Sequence, residues 1–92
     1  MIRVAANDLD LGPGWNKVKI IANEKKLSLY LVNTYLKIAP TVERWEEMHL
    51  ELGDIDIDQA LDLVCDLRTM GGPDEMRYVK IDGKRRLELW WD

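Results

Sequence analysis

DIDIDQALDLVCD, residues 54–66, carries five aspartates in two different periods. Asp54, Asp56 and Asp58 recur at every second residue; Asp62 and Asp66 then follow at every fourth. An extended backbone makes alternate residues equivalent, whereas a helix aligns every third or fourth. The change of period therefore marks the point where a helix begins. Asp56 precedes Gln59 by three residues, the spacing of a capping box. Ile57, Ala60, Leu61, Val64 and Leu67 form one apolar stripe at helical spacing, and Gly71, Gly72 and Pro73 end it. The spacing predicts a helix over 57–70.

In that helix Asp58, Asp62 and Asp66 stack on one face, about 6 Å apart. The positions four residues on hold Asp62, Asp66 and Met70, so no Lys or Arg offsets them at that spacing. Each like-charge i,i+4 pair costs roughly 0.2–0.5 kcal/mol, so the stripe is not optimised for helix stability. The imbalance extends further. Residues 43–66 hold nine acids and only Arg44, a charge of −8, so the rest of a chain of net charge −4 carries +4. Such asymmetry bears on partners rather than on fold.

On either side of the helix the pattern reads as strand. IRVAA (2–6) is a short strand, and NDLDLGPG (7–14) a loop. That loop lacks the Lys-Ser/Thr of a phosphate loop, and no helical pattern is read after it. WNKVKIIAN alternates, with Val18, Ile20 and Ala22 on one face; LSLYLVN alternates again, with Leu27, Leu29 and Leu31 together. Residues 16–33 thus read as a hairpin, against a rival helix over 25–38. TVERWEEMHLEL (41–52) fits both a helix and a strand, and a strand over about 46–52 is preferred because Met48, Leu50 and Leu52 alternate. MRYVKIDGKRRLELWW closes the chain as a hairpin around Asp82-Gly83. Side-chain parity favours an odd-length loop; a five-residue loop, DGKRR, pairs Ile81 with Leu87, Val79 with Leu89, Lys80 with Glu88 and Tyr78 with Trp90, and a three-residue loop keeps the same face parity. The fold class expected is α+β: a small antiparallel sheet of four or five strands in two hairpins, with one main helix on one face, in a single domain of 92 residues.

Chemistry is sparse. DIDIDQALD opens like a calcium loop, but Gln59 stands where the sharp turn needs Gly, and Cys65 where a bidentate Glu belongs. One His and one Cys cannot build a four-ligand zinc site. His49 between Glu47 and Glu51 is a conceivable ligand set, although a surface row on an exposed sheet face is the plainer reading. No metal and no cofactor is expected. Ser28 has no base nearby in sequence, and Cys65, away from the helix N-terminus, reads as an inert, at least half-buried thiol. So short a chain leaves little room for a deep cleft, so no enzyme is expected. A lone cysteine and the lack of an apolar leader or span point to a cytoplasmic protein without membrane contact.

Three functional readings follow. The first is a non-catalytic protein-binding module, an acidic inhibitor or adaptor. It would use Asp54, Asp56, Asp58, Asp62 and Asp66, with Glu47, Glu51 and Trp90, to dock on a basic nucleic-acid-handling protein. Phage-type inhibitors of defence complexes offer a functional analogy. The second is a nucleic-acid-binding domain using Lys84, Arg85 and Arg86 at the hairpin tip with Tyr78 and Trp90 as a stacking face, although a pI near 4.9 opposes it. An accessory or assembly subunit, homodimeric through a sheet edge or Trp90, is the third. Of the four tryptophans, Trp15, Trp45 and Trp91 are the candidates for the core.

Overall fold

The computed structural model describes residues 2–92. Five strands, β1 (Ile2–Ala5), β2 (Leu29–Asn33), β3 (Glu47–Glu51), β4 (Glu75–Ile81) and β5 (Lys84–Trp90), form one antiparallel sheet in the order β1-β2-β3-β5-β4. Two helices, α1 (Asn16–Glu24) and α2 (Ile57–Asp66), contribute to one core over one sheet face. The fold is α+β, as the pattern of elements implies. Among the described residues no helix is long and apolar enough to cross a membrane.

Strand alternation builds the core. Leu29 and Leu31 of β2, Met48 and Leu50 of β3, and Leu87 and Leu89 of β5 all face the helices and are essentially excluded from solvent. They lie side by side in register: Leu29 opposite Leu50, Leu50 opposite Leu87, Leu31 opposite Met48, Met48 opposite Leu89. Val18, Ile21 and Ala22 of α1 and Leu63 of α2 close over them, with Leu67 just beyond. Trp15, Trp45 and Trp91 meet edge to face with ring centroids 5.3–6.3 Å apart, and Trp45 and Trp91 pack against this core.

The start of α2 is as the aspartate periods imply. Asp56 accepts the Gln59 amide at 2.8 Å, and the Gln59 side chain accepts the Asp56 amide at 3.0 Å. The helix runs on through a π-helical turn, Leu67–Gly71, which Gly72 ends at φ 62°, its amide bonded to the Leu67 carbonyl. The faces differ from expectation. Ile57 and Leu61 are 74% and 59% exposed, while Leu63, outside the expected stripe, is fully buried. The apolar arc of the helix, from Leu63 round to Leu61, is wider than the sheet covers, and the sheet takes the side centred on Leu63.

Residues 16–33 are not a hairpin. The first arm is α1, because Val18, Ile21 and Ala22, spaced three and four apart, are the buried set, and Ile20 is left half exposed. Alternation at 18, 20 and 22 misled because Ile20 and Ile21 are both apolar and either period can use one of them. A helix therefore follows the 7–14 loop after all. The rival helix over 25–38 is absent too: Lys26 turns left-handed (φ 58°) and β2 follows. Asn7 ties these pieces together. Its amide donates to the Leu27 carbonyl at 2.8 Å and to Asn23 at 2.7 Å, and its carbonyl oxygen accepts the Leu29 amide at 2.9 Å.

The C-terminal hairpin turns on two residues, not on an odd-length loop. Asp82 (φ 52°) and Gly83 (φ 77°) are both left-handed, as a type I′ turn requires, and that turn matches the strand twist. Ile81 therefore pairs with Lys84, Val79 with Arg86, Lys80 with Arg85, and Tyr78 with Leu87. Val79 and Ile81 lie on the face away from the helices, and that face tolerates the neighbouring charges. Trp90 pairs with Glu75, so Tyr78 and Trp90 stand on opposite faces.

Replacing Asn7 with Ala strands two backbone groups at once, and is expected to cost about 1–3 kcal/mol in chemical denaturation. Asp56→Ala removes the cap and is expected to cost about 1 kcal/mol by the same measurement.

Candidate functional site

The helix-free face of the sheet carries a row that crosses all five strands: Ala5, Tyr30, His49, Glu88 and Arg77, each in register with the next. Its centre is polar and closed. His49 is fully buried and Glu88 is 4% exposed, which overturns the reading of His49 as part of an exposed surface row. Nε2–H of His49 donates to Glu47 Oε1 at 2.6 Å and lies 3.5 Å from Glu88 Oε2. Glu88 accepts from Arg86 at 3.0 Å and, through its other oxygen, from Nε of Arg77 at 2.7 Å. Burial alone would raise the Glu88 carboxyl. The hydrogen bonds from Arg77 and Arg86 outweigh it and hold the group below the ordinary carboxylate value of 4.5. Arg77 also lies over the Trp90 ring, and Arg3 over the Tyr30 ring.

Glu47, His49 and Glu88 bring three ligand atoms within 4.8 Å of one another. The donor set suits a divalent ion, but Arg77 and Arg86 already supply Glu88 with the charge a cation would bring. Metal-bound histidines donate their other ring N–H to a partner, and Nδ1 of His49 meets none among the described residues. The arrangement is that of a charge-balanced structural network.

The expected docking residues are divided between two sides of the molecule. Glu47, Glu51 and Trp90 lie on the helix-free sheet face. Glu51 pairs with Arg3 at 2.7 Å, and Glu47 is held by His49 and, at 3.3 Å, by Thr34. Asp56 caps α2, and Asp54 sits just ahead of it. Asp58, Asp62 and Asp66 share the solvent side of α2. Asp66 reaches Lys25 at 4.0 Å, whereas Asp58 and Asp62 have no ion-pair partner among the described residues. Beside those two stand Ile57 and Leu61, exposed and apolar. The composition did carry a signal for them: apolar residues at 57, 61, 63, 64 and 67 exceed what one buried stripe uses.

The basic residues do not gather on one face either. Arg85 points to the helix side and donates to the Gly53 carbonyl at 3.0 Å. Arg86 is on the other side with Glu88, Lys84 is exposed at the turn, and Tyr78 and Trp90 share no face. Cys65 is exposed, not half-buried, because it sits on the solvent side of α2.

No family model, no curated protein and no solved structure matches the chain.

Glu88→Gln keeps the shape and removes the charge that both arginines hold. It is expected to lower stability at neutral pH by about 1–3 kcal/mol. Because the folded carboxyl is depressed, its contribution is complete above the ordinary carboxylate value and disappears as pH falls through the depressed one. Thermal unfolding followed across acid pH should show a shallower loss in the variant than in the wild type.

Proposed function

We propose that this chain is a non-catalytic protein-binding module, an acidic inhibitor or adaptor whose helix α2 docks on a basic, nucleic-acid-handling protein. The observation that carries the reading is the solvent side of α2. Exposed Ile57 and Leu61 run beside Asp58 and Asp62, two carboxylates without an ion-pair partner among the described residues. Apolar side chains there supply area that binding removes from water, and the carboxylates supply sign and steering. Aspartates one helical turn apart, about 6 Å, approximate the spacing of successive phosphates, so a site built for nucleic acid is a natural target. The carboxylates of the sheet face contribute little, since Arg3, Arg77, Arg86 and His49 already engage them. Asp54 and Asp56 carry the acidic row past the N-terminus of α2.

Asp58, Asp62 and Asp66 replaced together by Asn leave the core untouched and relieve like-charge repulsion along the helix. In a pull-down from nuclease-treated host lysate, the wild type is expected to retain a basic nucleic-acid-binding protein that elutes with salt. The triple variant is expected to lose it while melting no earlier. Equal retention by the two proteins refutes the reading.

A further inference from the structure

The helix side of the sheet is not fully covered. The bare part is the inner face of β4, the edge strand, where Tyr78 is 55% exposed and Lys80 lies open. Between that strand and α2 runs a groove of about 380 Å³. Ile57, Leu61 and Val64 form its helix wall, Leu87 and Tyr78 its strand side, and Arg85 borders it. Its two rims differ in sign. On the helix side stand Asp58 and Asp62; on the strand side stands Lys80, likewise without an ion-pair partner among the described residues.

Opposite rims of this kind complement a copy of themselves. A twofold axis along the groove carries each copy's α2 across to the bare β4 of the other. The protruding helix then fills the step, and the step receives a helix in return, as an isologous interface demands. We infer that this groove is filled by helix α2 of a second copy of this chain, in a twofold dimer that sets Asp58 and Asp62 of each copy against the partner's Lys80. Leu61 packs on the partner's Tyr78, and two apolar ridges leave water together. A basic partner that carries an apolar helix meets like charge at Lys80 and Arg85; a second copy meets opposite charge on both rims. The inference goes beyond the docking role and sets a condition on it, because a second copy and a basic partner compete for the same helix.

Sedimentation equilibrium of the purified chain over a wide concentration range tests it. The wild type is expected to approach twice 10.7 kDa. Leu61→Glu, at an exposed site that leaves the core intact, is expected to sediment as a monomer with an unchanged circular dichroism spectrum. Asp62→Lys and Lys80→Glu are each expected to weaken self-association about tenfold, since like charges then face each other. Mixed in equal amounts, those two variants are expected to recover wild-type association, because the heterodimer restores opposite charges at both contacts. A single 10.7 kDa species at every concentration overturns the dimer; it leaves the docking role standing, since that is read by capture rather than mass. A dimer that survives Leu61→Glu, or a mixture that fails to recover, overturns the placement of the interface.

Discussion

Two helices must cover five strands, and they fall short. Strands about 4.8 Å apart present a face roughly 24 Å wide, whereas two helices side by side span about 20 Å. The deficit is close to one strand, and most of it falls on β4, whose inner residues Tyr78 and Lys80 stay open, with Ile2 of β1 partly open at the other edge. The opposite face has no helix over it, yet the middle of that face excludes water. Much of the rest of the structure is a response to this shortage of cover.

On the helix-free face the response is electrostatic. His49 and Glu88 occupy adjacent central strands with neighbours on both sides, so their environment is closed by long side chains from the surrounding rows. An isolated carboxylate there would be costly. Arg77 and Arg86 remove that cost by direct hydrogen bonds, and Glu47 engages the histidine. The same pairing draws Glu47, Glu51 and Glu88 out of any surface charge pattern. Among the described residues the largest run of carboxylates left without an ion-pair partner lies on and just ahead of α2: Asp54, Asp58 and Asp62.

The elements differed in how openly the sequence declared them. The α2 boundary was legible because three independent signals agree there: the change in aspartate period, the Asp56–Gln59 box and the Gly-Gly-Pro stop. Strands β2 and β3 were legible from leucine alternation. Helix α1 was not, since IleIle at 20–21 satisfies both periods and its first residue has no side-chain cap. The hairpin register was misread because the buried face of β4 was assigned to Val79 and Ile81. Apolar burial on β5 belongs to Leu87 and Leu89, and with a two-residue turn these oppose Tyr78 and Met76.

By itself, then, the sequence determined the class of fold, the start and end of α2 and the existence of an acidic helical row, because these depend on local spacing and capping. Which carboxylates remain available was decided by tertiary structure, since Arg3 reaches Glu51 from 48 residues away and Arg77 reaches Glu88 across the hairpin. So was the exposure of Ile57 and Leu61. Periodicity reveals that a helix has an apolar stripe, but when a helix has more apolar residues than one stripe needs, only packing selects the face that is buried.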